Sequence, residues 1–208
     1  MLVMNPKIKI DLEALIREGK KIVLELGCGP RKGDGRIGVD LLDLPNVDIV
    51  ADVNAGLPYF PDGSVDEIHS RSLFEHVENL EFFMREVVRV LKKDGRCHVF
   101  VPHFSNPFYY SDYTHQKFFG LFTFYYFVPV KDQPRRQVPD FYTDIRIKIF
   151  SHQLIFQSTF RGVHFLKRLF GRWVNSSRWC QEFYEENLCY LIPCYAIETV
   201  FGRLEAEP

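Results

Sequence analysis

The 208-residue chain has few cysteines, and none are spaced to act together. Cys28, Cys97, Cys180, Cys189 and Cys194 are odd in number and include no C-x-x-C pair. That argues against a disulfide framework and for reduced, mostly buried thiols in a cytoplasmic protein. An excess of one charge is also missing. The 26 basic and 27 acidic residues give a formal net charge of −1, so no global field favours DNA or a large RNA as partner. No uninterrupted apolar run approaches the ~20 residues that cross a bilayer. The opening "MLVMNPKIKIDLEALIREGKK" carries charges throughout and lacks the apolar centre of a secretory signal. There is no internal repeat and no low-complexity tract.

What the chain has in excess is aromatic side chains, unevenly placed. Of the 24 residues in 104–127, twelve are Phe or Tyr. Elsewhere short apolar runs alternate with longer segments, the pattern of a parallel sheet covered by helices. Residues 22–26, 37–39, 49–51, 65–69 and 98–101 read as strands, and their lack of strict alternation suits burial on both faces. "NLEFFMREVVRVLKKDG" reads as a helix capped by Asn79, with Lys92, Lys93 and Gly95 at its end. "DIRIKIFSHQLIF" reads as a strand, "GVHFLKRLFGRWV" and "SSRWCQEFYEENLCYL" as helices, and "YAIETVFGRL" as a last strand.

"KIVLELGCGPRKGDGRIGVD" joins a strand, a glycine-rich turn and a second strand closed by an acid, an arrangement suited to nucleotide binding. A tight turn beside an exposed acid is the plainer alternative. The third glycine of G-x-G-x-x-G is absent, because Lys32 stands there, and no G-K-[ST] follows. The absent third glycine, together with Glu25, opposes a nicotinamide-dependent oxidoreductase. Glu25 sits two residues before Gly27, where a carboxylate would repel a pyrophosphate and suit a cationic ligand.

"ELGCGP", with Glu25, Gly27, Cys28 and Gly29, resembles the first motif of class I S-adenosylmethionine-dependent methyltransferases. The resemblance continues in order over residues 21–102, through "IGVDL", "IVADV", "LPYFPDGSVDEIHS", "SLFEHV" and "VVRVLKKDGR". It implies that Asp40, followed by Leu41, meets the ribose hydroxyls, that Asp52 and Val53 meet the adenine, and that S-adenosylmethionine is converted to S-adenosylhomocysteine. It also implies that Ser70, Arg71 and Phe74 border the methionine part, and that His76 begins the next helix. The expected fold is α/β: a Rossmann-like, doubly wound, mostly parallel sheet of about seven strands with an antiparallel last strand. Only "PRKGDGR" separates the first glycines from the second strand, too little for a full covering helix. Such short versions resemble a branch associated with sugar and polysaccharide modification.

Residues 1–208 are expected to form one domain, with an aromatic-rich lid or insert at 104–143 and a helical insert at 160–190. The aromatic run suits a hydrophobic lid over the acceptor, the core of an insert, or a homodimer contact. His103, Asp112 and His115 lie in polar islands within it. An Asp–His pair there would deprotonate an acceptor, and "D-x-T-H" resembles a segment recurring in the sugar-associated branch, which favours His115 as the base, although Asp112 and Thr114 equally suit a turn before a helix near His115. His76 is a further catalytic candidate. No metal site is expected, since the spacing of His103, Asp112 and His115 marks none. Arg161, Lys167, Arg168, Arg172 and Arg178 among aromatics admit contact with a membrane surface, or simply a helix with its arginines in water. The function this implies is methyl transfer to an O or N atom of a small-molecule or glycan acceptor. A protein, tRNA or lipid acceptor, or an inactive cofactor-binding protein, is the alternative.

Overall fold

The computed structural model describes residues 5–204. Eight strands, Lys7–Ile8 (β1), Val23–Leu26 (β2), Ile37–Asp40 (β3), Ile49–Val50 (β4), Val65–Arg71 (β5), Leu91–Pro102 (β6), Ile147–Ile155 (β7) and Ala196–Arg203 (β8), form one sheet. Its order is β1-β4-β3-β2-β5-β6-β8-β7. The centre from β4 to β6 is parallel, while β8 runs antiparallel to both β6 and β7. The eighth strand, β1, adds an antiparallel edge to β4 that the sequence pattern did not reveal. The chain winds one way through β3 and β4 and the other way through β5 and β6. The carboxyl ends of β2 and β5 therefore border the switch point where such sheets hold ligands.

Among the described residues four α-helices accompany the sheet: Leu12–Arg17 (α1), Leu80–Val90 (α2), Arg161–Val174 (α3) and Arg178–Asn187 (α4). Asn79 caps α2 as its composition implies, its side chain accepting from the Phe82 N–H at 3.0 Å, and Phe83, Met84, Val87 and Val90 are buried. The helix ends earlier than its sequence suggests. Leu91 is already extended and pairs with Val65, and Lys92 reaches Asp66 at 2.8 Å, so sheet pairing overrides the helical propensity of the lysines. His76 does not begin this helix; it closes a single 3₁₀ turn, Phe74–His76. Nor does a helix begin at His115. Thr114 donates its N–H and its hydroxyl to Asp112 at 2.9 and 2.6 Å, which completes a turn instead.

Between β2 and β3 the chain passes through residues 27–36 with no helix. The uncovered face shows in the burial of the strands. Leu24, Leu26, Ile68, Cys97, Val99 and Val101 are buried on one face, while Val23, Glu25, Glu67, His69, His98 and Phe100 alternate with them, partly exposed. The expected burial on both faces therefore fails at the sheet's centre, for want of the crossover helix that would supply it. The core lies on the other face. There α2 and the aromatics Phe119, Phe124 and Phe127 close over the strands, with Phe124 between Phe74 and Phe201.

Candidate functional site

Beyond β2 the backbone turns through Gly27 and Gly29, with φ of +68° and +56°. A side chain at Gly27 would also press on Leu73, 3.1 Å from where its Cβ would stand. Asp40, at the end of β3, secures this loop. One oxygen accepts from the Gly29 N–H at 2.8 Å, and the other from the Leu42 N–H at 3.0 Å. Asp52 caps the short turn Val53–Ala55 by accepting from the Asn54 N–H at 2.9 Å. These groups converge on a cleft of about 180 Å³. Gly27, Asp40, Leu41, Asp52 and Val53 line it, as do the catalytic candidate His76 and Asn54, Leu73 and Val77, which the sequence did not single out.

Other anticipated cofactor residues lie elsewhere. Glu25 sits on the open face of the sheet, where its carboxylate accepts from the Gly33 N–H at 2.7 Å and from Arg36 at 3.0 Å. It holds the loop shut and is not brought to the cleft. With Ser70 and Arg71 it borders a separate pocket of about 190 Å³ on that face, where the Arg71 guanidinium lies 3.9 Å over the Phe100 ring. Phe74 is wholly buried, with its ring edge on Phe83. Cys28 packs with Val47 and Val50. Burial, aided by the carboxylates of Asp40 and Glu25, pushes its thiol up to about 11, so it is an inert packing group.

The four catalytic candidates divide into three and one. His103 is fully buried, with one ring nitrogen 2.8 Å from Ser105 Oγ and the other 2.9 Å from a Glu185 carboxylate oxygen. Both nitrogens are engaged and no face of the ring meets solvent, so His103 braces β6 against α4 and is removed as a base. His76, Asp112 and His115 come together beside the cleft. The His76 and His115 rings meet edge to face, 4.8 Å apart. Thr114 links His76 to Asp112, with its Oγ1 3.0 Å from His76 Nδ1 and donating to Asp112 Oδ1 at 2.6 Å. Those two bonds from Thr114 hold the Asp112 carboxyl below its usual range. What fastens the aromatic segment here is backbone: the N–H groups of Gln116 and Lys117 both donate to the Glu75 carbonyl, at 2.7 and 3.0 Å.

Glu75 itself was overlooked, although an acid inside the apolar turn "SLFEHV" is a visible signal. Its side chain is fully buried, and no protein group makes a well-formed hydrogen bond to either carboxylate oxygen. Burial pushes its pKa up to about 7, against a smaller opposing pull from its own N–H and the nearby Ser72 side chain. Ser72 has φ of +54°, the one left-handed non-glycine among the described residues. The strain falls just where the chain leaves β5 for the cleft.

Residues 38–99 match the family model described as a methyltransferase domain. Among solved structures, the chain is similar in fold to a SAM dependent methyltransferase from Archaeoglobus fulgidus, at 16% identity and a TM-score of 0.52 over 92% of each chain. It is similar to coclaurine N-methyltransferase bound to N-methylheliamine and SAH, at 15% identity and a TM-score of 0.51, over 92% of this chain and 70% of that one. A third likeness is to the putative methyltransferase complexed with the Trm112 methyltransferase activator of Haloferax volcanii. There the identity is 13% and the TM-score 0.52, over 89% of this chain and 83% of that one. No curated protein matches the chain closely enough to count as a relative. Among the described residues no helix is long and apolar enough to cross a membrane.

Proposed function

We propose that this chain, a methyltransferase domain on the class I S-adenosylmethionine-dependent fold, carries the methyl group of S-adenosylmethionine to an oxygen or nitrogen of a small-molecule or glycan acceptor. The observation that carries the proposal is a single cleft lined by Gly27, Asp40 and Asp52 and also by His76. Asp40 keeps acceptor capacity toward ribose hydroxyls while fastening the glycine loop. Asp52 and the Val53 backbone suit the adenine edge. Bare backbone at Gly27 lets the ligand lie close to the sheet's end.

Beside His76 the acceptor meets the cluster of His76, Asp112 and His115, which takes up the proton that an acceptor hydroxyl or ammonium loses. Methyl transfer from a sulfonium is an in-line displacement, so alignment and exclusion of water supply much of the acceleration. Residues 104–143 suit that task. Phe108, Tyr110, Tyr113 and Phe118 are largely exposed near the cluster and offer flat apolar faces to a ring or sugar. Calorimetry with S-adenosylhomocysteine, followed by a labelled-methyl screen over hydroxyl and amine acceptors, tests the proposal. Tight binding with transfer to a small acceptor is expected. Transfer only to protein, tRNA or lipid would redirect the acceptor class, and absence of binding would refute the cofactor site.

A further inference from the structure

We propose that Glu75, His76 and His115 bind one divalent transition-metal ion, of the zinc or iron(II) type, beside the cleft that His76 lines. One ligating atom from each of the three lies within 4.8 Å of the other two. Two imidazoles and a carboxylate are a donor set suited to such ions, and three protein ligands leave a coordination position for a substrate oxygen.

The hydrogen bonds around the rings point the same way. His115 Nδ1 lies 2.8 Å from the Tyr109 carbonyl oxygen, which only accepts, so Nδ1 carries a proton and Nε2 is the nitrogen left to meet an ion. Thr114 Oγ1 already gives its proton to Asp112, so His76 Nδ1 donates to Thr114, through Oγ1 at 3.0 Å or the carbonyl at 3.3 Å. Its Nε2 is likewise the nitrogen left to meet an ion. A ring tied by Nδ1–H to a carbonyl or hydroxyl, with Nε2 turned outward, is how metal-bound histidines are held. His115 Nε2 also lies 3.5 Å from Asp112 Oδ2, so a cation held there would face a second carboxylate beside the imidazole. Glu75 adds a fully buried carboxylate with no protein hydrogen bond, an arrangement that is costly unless a cation or proton joins it.

Sequence spacing does not reveal the set, because His115 is 39 residues from His76 and Glu75 sits in an apolar turn. A second trio, Glu67, His69 and His98, also lies within 4.8 Å, on the open face of the sheet. Its Glu67 is satisfied by Lys21 at 2.6 Å and by His69 at 3.2 Å, so it has no comparable need of an ion.

Resting on the proposed transfer, the ion would hold an acceptor hydroxyl as its alkoxide. With both imidazoles on the ion, half-exposed Asp112 is the member of the cluster left to accept the proton, and it would pass it on to water. The alkoxide oxygen would then bond to the methyl carbon as the carbon–sulfur bond breaks, its electron pair remaining on sulfur. The acceptor class is thereby narrowed to alcohols and phenols.

The test loads the chelator-stripped full chain with Co²⁺ and with Zn²⁺. Expected are one equivalent bound and a visible cobalt absorption typical of nitrogen ligation. Glu75→Gln and His115→Gln should each weaken binding by at least tenfold, while the double change Glu67→Gln and His98→Gln leaves it unaltered. Absence of a cobalt band in the unsubstituted chain would overturn the proposal without recourse to any variant. So would binding that survives Glu75→Gln but is lost with Glu67 and His98. S-adenosylhomocysteine binding, followed separately by its rise in melting temperature, shows whether the cofactor proposal stands on its own.

Discussion

At Gly27 two constraints coincide: a left-handed backbone and the Leu73 side chain 3.1 Å from where a Cβ would stand. Gly27→Ala should cost about 1 kcal/mol of stability through the strained backbone alone. It should also reduce S-adenosylhomocysteine affinity by at least tenfold, because the added methyl pushes Leu73 into the cleft. Calorimetry beside a thermal melt separates the two effects, and unchanged affinity would remove Gly27 from the cofactor site. His152 offers a prediction of a different kind. It is held neutral, with one nitrogen 2.9 Å from Thr199 Oγ1 and the other donating to the Leu121 carbonyl at 2.9 Å. Burial lowers its pKa to about 4, from an ordinary value of 6.5. Between those values the unfolded chain binds more protons than the folded one. This contribution is therefore complete above pH 6.5 and is lost as pH falls toward 4, by at most about 3 kcal/mol. In urea titrations His152→Gln should flatten the slope of stability against pH in that window. An unchanged slope would mean that other groups set it.

Among the elements, α2 owes its start to a single side-chain bond. Asn79→Ala should cost about 1 kcal/mol by leaving the Phe82 N–H without its cap, with no change in cofactor affinity. A loss of affinity in this variant would mean that α2 positions the cleft more directly than its contacts indicate. This helix also marks the limit of what local sequence encodes. Its cap and apolar face are legible because they are properties of neighbouring residues. Its end is not, because the Val65–Leu91 pairing and the Lys92–Asp66 bond depend on a strand more than twenty residues earlier. The glycine turn and the acids at Asp40 and Asp52 are legible for the same local reason, whereas Glu25 misleads. Its position fits a ligand carboxylate, but Arg36, eleven residues on and free to fold back without an intervening helix, engages it. The missing helix was itself readable from Pro30 and the extra glycines. Its consequence, a polar and partly exposed sheet face, emerges only once the strands are ordered.

For the whole molecule, the question is whether residues 104–143 are an appendage or part of the main core. Phe119 and Phe124 are fully buried, and Phe124 contacts Phe74, next to the cleft, and Phe201 on β8. Gln116 and Lys117 tie the same segment to the Glu75 carbonyl. Such continuity predicts one cooperative unit. Phe124→Ala should therefore lower global stability by about 3–5 kcal/mol, a large share of what a domain this size has. Far-ultraviolet dichroism and the fluorescence of Trp173 and Trp179, on helices α3 and α4, should then shift together to the lower melting temperature. Tyr113 provides the contrast. It is 97% exposed, so Tyr113→Ala should leave stability within about 0.5 kcal/mol of the original. If the exposed aromatics receive the acceptor, the same change should raise KM for the acceptor several-fold while the affinity for S-adenosylhomocysteine stays constant. An early, separate melting of residues 104–143 would instead make the segment a loosely docked lid. The arrangement of His76, Asp112 and His115 would then depend on its closure, and transfer would be lost at temperatures where the sheet remains folded.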